Sequence, residues 1–330
     1  MPERFATIIS TGIYVPSTIM SPEDFEKKTG VRVDPLFIER TGIKVKRVAS
    51  PNETPATMAT NAAKMALERA GLTIKDIDMI IVGTDTPEAI SPPTAPKIQS
   101  LLEGGPYEIP AFDVNASCAN PVYMLELASS IIAGNPKYRN IMVIGVYAMT
   151  RFLRWKYMWE WIFSDGAGAV ILSASDRPGY LGGRLRADGS FWDYWGIFFG
   201  AWKPIAEQVG DENLPYLDLR KTYPPVNDQY WPILIRDVVN QAGIGLNDIS
   251  QIIFTQVRLK TILDVMKNLN LPESKTHWIM DKYGYTGSAC IYMALHDAVE
   301  MGKVEKGKVV IFVASGVGYQ QGAVAFRWIN

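Results

Sequence analysis

The sequence predicts an α/β fold made of two copies of one unit, and three observations support that prediction. Continuous apolar strands such as Ile77–Gly83 lie between amphipathic helices, the pattern of a sheet covered on both faces. Strands and helices alternate along the whole chain. The segment Ala70-Gly71-Leu72-Thr73-Ile74-Lys75-Asp76-Ile77-Asp78-Met79-Ile80-Ile81 lines up with Ala242-Gly243-Ile244-Gly245-Leu246-Asn247-Asp248-Ile249-Ser250-Gln251-Ile252-Ile253, each reading as helix end, short loop and buried strand. The helix around Tyr123 and Met124 and the strand Ile141–Ile144 are echoed at nearly the same offset by Tyr292 and Met293 and by Val309–Phe312. A long internal period marks a duplicated unit. The expected halves are 1–175 and 176–330, with the functional site where they meet.

In chain order, Ala6–Ser10 reads as a strand and Pro22–Lys28 as a short helix. Thr57–Ala70 is a longer helix with Met58, Ala62, Met65 and Ala66 on one face. A loop rich in Pro and Thr (Thr84–Thr94) leads to a helix, Ala95–Leu102, and a strand follows at Ile141–Val146. Phe163–Leu172 reads as a Gly/Ala turn feeding a strand; its glycines lack the G-x-G-x-x-G spacing and belong to packing rather than to a phosphate cradle.

Composition bounds the function classes. With 330 residues, 48% hydrophobic and 20% charged, the chain can bury a large core. A formal net charge of −1 leaves no electrostatic footprint for nucleic acid or an anionic membrane. Two cysteines without metal-ligand spacing argue for a reducing compartment and against a disulfide framework or a metal site. Neither Ala6–Ser10 nor the run Val309–Ala314 is long enough for a signal peptide or a membrane span. A soluble cytoplasmic protein is the expectation.

The stretch Phe112-Asp113-Val114-Asn115-Ala116-Ser117-Cys118-Ala119-Asn120-Pro121 reads as strand, turn of small residues, cysteine and helix, the helix carrying Met124, Leu125, Ala128, Ile131 and Ile132 at helical spacing. At a helix N-terminus the unpaired N–H groups and the dipole lower a thiol's pKa, and the thiolate is the nucleophile. A buried, inert thiol on a packed turn fits the same local pattern, so both readings stand at this point.

Taken together, the motifs resemble the β-ketoacyl synthase III branch of the thiolase superfamily over essentially the whole chain. Arg40-Thr41-Gly42-Ile43 resembles its RTGI signature, Gly83-Thr84-Asp85-Thr86-Pro87-Glu88 its T-x-TP segment, and Asp113 through Cys118 its cysteine elbow. Asp165-Gly166-Ala167-Gly168-Ala169 resembles its DGAGA turn and Lys282-Tyr283-Gly284-Tyr285-Thr286-Gly287-Ser288-Ala289 its KYGNTSAA segment. Gly316-Val317-Gly318-Tyr319 with Gly322-Ala323 is similar to its closing loop. The resemblance implies a five-layered α-β-α-β-α thiolase fold, a homodimer, and acyl-CoA or acyl-carrier-protein thioesters as substrates, with no separate cofactor. It also implies Cys118 as the acyl acceptor, and an oxyanion hole from the backbone of Cys118 and the Gly316-Val317 loop.

Two departures are informative. The family's HQANLR segment matches Phe254-Thr255-Gln256-Val257-Arg258-Leu259-Lys260, so its histidine falls on Thr255 and its nearby asparagine on Arg258; its second active-site asparagine falls on Tyr285. Threonine and tyrosine each donate one hydrogen bond, but neither serves as a base near neutral pH. The only histidines, His277 and His296, read as structural or surface residues. Acyl loading is thiol–thioester exchange and needs a thiolate and an oxyanion hole more than an imidazole. The expectation is an acyltransferase with atypical, His-less chemistry, passing an acyl group from Cys118 to an alcohol, an amine, an acidic carbon or another thiol in lipid-like or secondary-metabolite biosynthesis. Alternatives are a non-catalytic partner subunit of an active homologue, a conventional decarboxylating synthase using Thr255 and Tyr285, and thioester hydrolysis, for which no base is identifiable.

Six of the nine tryptophans, Trp155, Trp159, Trp161, Trp192, Trp195 and Trp202, lie between Arg151 and Lys203, forming either a core or dimer interface or an aromatic pocket. By the resemblance, Arg40, Lys44 and Lys260 match cations at the CoA entrance. The adenine-stacking tryptophan falls on Leu36 and a phosphate-contacting arginine on Tyr157, with Arg154 and Lys156 as substitutes. These changes favour a carrier-protein donor.

Overall fold

The computed structural model describes residues 4–102, 108–212 and 214–329. The first sheet runs β1 (Phe5–Tyr14), β5 (Asp165–Ser175), β4 (Asn140–Ala148), β2 (Met79–Gly83), β3 (Ala111–Val114) across its width. The second runs β7 (Ile249–Phe254), β8 (Val309–Gly316), β9 (Gln320–Arg327), β6 (Tyr180–Ala187). The duplication is visible strand by strand: β2 pairs parallel with β4 as β7 does with β8. The remaining neighbours, β4–β5–β1 and β8–β9–β6, are all antiparallel. The first sheet adds β3 at its edge.

Two helices lie between the sheets: α3 (Asn120–Gly134) and α6 (Cys290–Glu300) each pack on strands of both. Their sequences require this, since all but three residues of α6 are buried and a helix apolar on most of its circumference must be enclosed. Outside, α1 (Pro55–Ala70) and α2 (Thr94–Leu101) cover the first sheet, while α4 (Val226–Gln241), with α5 (Leu259–Asn268) against it, covers the second. The result is the α-β-α-β-α sandwich. Each end of α1 is specified locally: Thr54 accepts the Thr57 N–H at 3.3 Å, Pro55 opens the first turn, and Gly71 closes the helix at φ +66°. Among the described residues no helix is long and apolar enough to cross a membrane.

The stretch expected to be a Gly/Ala turn is itself strand: β5 begins at Asp165 and pairs on both sides, with β1 and β4. The small residues serve the sheet's close packing against α6. The Asp165 carboxylate accepts the N–H groups of Ala49 at 2.8 Å and Thr150 at 3.0 Å, together with the Thr150 hydroxyl.

Candidate active site

Cys118 lies in the short 3₁₀ turn Ser117–Ala119, directly before α3. Ser117 is in the left-handed region at φ +51°, a strained conformation for a residue with a side chain. Side chains on either side hold the turn: Asn120 Oδ1 accepts the Ala116 N–H at 2.6 Å, and Asn115 Oδ1 accepts the Ser117 N–H at 2.9 Å. Upstream, Asp113 caps α2, accepting the N–H groups of Thr94 and Ala95, both at 2.7 Å. In the second half the turn Gly287–Ala289 precedes α6 in the same way, so Ser288 is the counterpart of Cys118. The two turns meet: Asn120 Nδ2 donates to Ser288 Oγ at 3.1 Å, and that hydroxyl lies 3.1 Å from both the Ser117 carbonyl and Asp85 Oδ1.

From this junction a cavity of about 670 Å³ opens, lined at its inner end by Cys118, Asp85, Tyr147, Thr255 and Tyr285, and by Gly316 and Val317 of the closing loop. A methyl built on Gly316 would fall 3.0 Å from the Cys118 nitrogen and 2.5 Å from the Ala116 carbonyl oxygen. Only glycine lets the loop lie against the cysteine's backbone, as an oxyanion hole shared by Cys118 and Val317 requires. Thr255 Oγ1 accepts the Ser315 N–H at 3.1 Å, which fixes the threonine to β8. Tyr285 is clamped by backbone bonds to Ile162 and Ser164, each 2.9 Å. Its ring stands 6.0 Å from those of Tyr147 and Phe163.

The thiol differs from the expectation at the helix terminus. Burial, with Asp85 as the next cause, pushes Cys118 well above the ordinary thiol range, while the neighbouring Tyr285 and Tyr147 hydroxyls favour the thiolate and pull the other way. Both phenols are themselves pushed far up by burial. Asp85 keeps part of its surface open to the cavity. Burial raises its carboxyl to about 6 against the lowering effects of its own N–H and the Ser288 hydroxyl.

Among the described residues no imidazole lines the cavity. His277 bonds Asp297 at 2.7 Å and Lys303 at 3.0 Å, and His296 lies 3.0 Å from Thr11 Oγ1. Arg40, Lys44, Arg154, Lys156 and Lys260 also do not line it. The Arg154 guanidinium lies over the Tyr216 ring at 5.6 Å and Lys260 is paired with Asp264 at 2.6 Å. Arg40, Lys44 and Lys156 are exposed. The short helix Pro35–Thr41 carrying Arg40 packs on α5, which carries Lys260, so these two sit on adjoining elements; the cation on the wall is Arg258. Leu36 is exposed, and Tyr157 stacks on Trp159 at 5.6 Å.

The tryptophans divide between the two expectations. Trp155 and Trp161 pack around Phe25, whereas Trp192 and Trp195 line the cavity with Phe198, Tyr223 and Tyr319. Two site residues escaped sequence reasoning. Tyr147 lies one residue beyond the strand as read from sequence. Asp85 stands at the variable position of the T-x-TP segment, where a carboxylate beside a fully apolar strand was the available signal.

A cysteine elbow between duplicated sheets, at the meeting point of two helix N-termini, defines a thiolase-fold protein. Models of the 3-oxoacyl-[acyl-carrier-protein] synthase III family match residues 112–189, and of its C-terminal part residues 239–328. A β-ketoacyl-[acyl-carrier-protein] synthase III of Coxiella burnetii is 35% identical over 328 residues, covering 98% of this chain and 99% of the relative. Among solved structures, the 3-oxoacyl-[acyl-carrier-protein] synthase III of Aquifex aeolicus VF5 is similar with a TM-score of 0.87 and 32% identity, covering 98% of this chain and 100% of the other. The priming β-ketosynthase of the R1128 polyketide pathway is similar with 0.88 and 25%, covering 100% and 98%. The chain belongs to the 3-oxoacyl-[acyl-carrier-protein] synthase III family, the ketosynthase III type of acyl-transferring condensing enzyme.

Proposed function

We propose that Cys118 takes an acyl group from a CoA or acyl-carrier-protein thioester and passes it to an acceptor without help from an imidazole. The observation behind this is the cavity of about 670 Å³ with the thiol and two phenols, Tyr147 and Tyr285, on its wall and, among the described residues, no histidine or lysine there. In loading, the sulfur attacks the thioester carbonyl, the bond to the pantetheine sulfur breaks, and the thiol proton leaves with that sulfur. The exchange is nearly balanced in energy, so positioning and oxyanion stabilisation suffice. The N–H groups of Cys118 and Val317 are the proposed oxyanion donors. The aromatic wall of Trp192, Trp195 and Phe198 suits a bulky or planar group. Exposed Lys44 and Lys156, with Arg40, suit an acidic carrier protein, and a homodimer is the proposed assembly.

Incubation with a panel of acyl-CoA and acyl-carrier-protein thioesters, read by intact mass, tests the proposal. The expected result is an adduct of the acyl mass on the wild type and none on Cys118→Ala. No adduct from any donor would remove the transferase reading in favour of a non-catalytic partner.

A further inference from the structure

Among the described residues, the cavity has two carboxyl side chains on its wall, at Asp85 and Asp228. Asp228 belongs to the first turn of α4, and burial first, then Asp264, raise its carboxyl against the opposing effects of Arg258 and Lys260. Asp85 shares the cavity with the sulfur, and its charge acts on the thiol. It follows β2, shares the inner wall with Cys118 and Tyr147, and is tied through Ser288 Oγ, 3.1 Å from Oδ1, to the turn that carries the nucleophile. The titratable groups facing it are the Cys118 thiol and the Tyr147 phenol, from the 3₁₀ turn and from β4. The second half contributes the neutral Ser288. Among the described residues, no cation other than Arg258 lines the cavity.

We propose that Asp85 is the general base and proton carrier of the transfer step, so that the acceptor gives up a proton rather than carbon dioxide. This rests on Cys118 being acylated as proposed above. The carboxylate takes the proton of an acceptor O–H, N–H or acidic C–H. The acceptor atom attacks the acyl carbonyl, the bond to Sγ breaks, and the Cys118 thiolate departs. Because the sulfur is held well above the ordinary thiol range, it is the stronger base and takes the proton from Asp85, which restores both groups. A malonyl acceptor would generate its carbanion by losing carbon dioxide and would need no such base. With its carboxyl at about 6, Asp85 is ionised at neutral pH while still able to accept a proton.

The test uses acyl-enzyme prepared from an acyl-CoA that loads the wild type, freed of donor, and mixed with acetoacetyl-CoA, with a primary alcohol, with malonyl-CoA, or with buffer alone. Water is itself a proton-giving acceptor, so every protein yields a rate. Asp85→Asn is expected to reach the full acyl mass, since removing the neighbouring negative charge eases thiol ionisation. It should then transfer at least 10²-fold more slowly, within the range general base catalysis supplies. Wild-type transfer should rise with pH to a plateau with a midpoint near 6, a profile absent from Asp85→Asn. Ser288→Ala, which removes a donor to the carboxylate, should move that midpoint upward, which a purely structural role would not do. Transfer by Asp85→Asn within threefold of the wild type, or malonyl-CoA as the sole acceptor with a rate indifferent to the substitution, would overturn the proposal. Absence of any adduct on the wild type would instead strike at Cys118 acylation, and the inference would fall with it.

Discussion

Gly287→Ala is the sharpest test of how the site is built. The glycine has φ +42°, and a methyl there would lie 2.3 Å from Cε2 of Tyr147 and 2.5 Å from its Cδ2 and Cζ. The ring is fully buried, so it has no open space to swing into. Overpacking of this kind costs about 1–3 kcal/mol and a left-handed alanine about 1 kcal/mol more. With an unfolding entropy of about 2.1 cal/mol/K per residue, about 0.7 kcal/mol/K for 330 residues, a loss of ~3 kcal/mol lowers the thermal midpoint by about 4 °C. Tyr147→Ala alone removes a buried ring and should cost about 3–5 kcal/mol. In that background Gly287→Ala should cost only its backbone strain, giving a coupling of about 1–3 kcal/mol in a double-mutant cycle followed by denaturant unfolding. The same displacement moves the phenol off Cys118 Sγ, so Gly287→Ala should also slow acyl loading by intact mass. Additive stabilities, with loading unchanged, would refute the claim that this glycine exists to seat Tyr147 beside the sulfur.

Two further outcomes follow from the same geometry. Tyr285→Phe should slow transfer from the acyl-enzyme more than it slows loading, by about tenfold or more if the phenol bonds the developing oxyanion, as expected for a hydrogen bond to a charged group; equal loss in both steps would exclude that role. Alkylation of Cys118 by iodoacetamide, followed by peptide mass, should still be climbing above pH 9, because burial favours the neutral thiol. Tyr285→Phe, which removes a hydroxyl that favours the thiolate, should be slower at each pH below the plateau; a plateau below pH 8 would contradict the raised thiol.

The fold was legible because its signals are periodic and repeated. The match of Ala70–Ile81 with Ala242–Ile253 lies across the ends of α1 and α4 and the strands β2 and β7, which hold equivalent places in their sheets. Legibility failed where composition mimics another element: small residues at 165–169 read as a turn, but the demand for close helix packing on β5 won. At the site, Cys118, Thr255, Tyr285, Gly316 and Val317 line one cavity, having been marked by motif position. Tyr147 and Asp85 were not marked. Their significance lies in which way they face and how little water reaches them, and neither property is written in a single position of the sequence.

The position of Cys118 was readable, but its ionisation was not, because two opposed effects differ in size. A helix terminus contributes about 0.3–1 kcal/mol to an anion. Enclosure can move a pKa by several units, each worth about 1.36 kcal/mol. With Cys118 only 6% exposed and Asp85 nearby, enclosure wins. The acyl form of the cysteine carries no charge and suffers no such penalty, so the same enclosure that suppresses the free thiolate favours the acylated state over expulsion of the sulfur. In the proposed cycle the acyl-enzyme therefore persists until a proton can be supplied to the leaving sulfur. Asp85, protonated by the attacking acceptor, supplies it as the acyl group moves, so expulsion of the sulfur is coupled to attack by that acceptor.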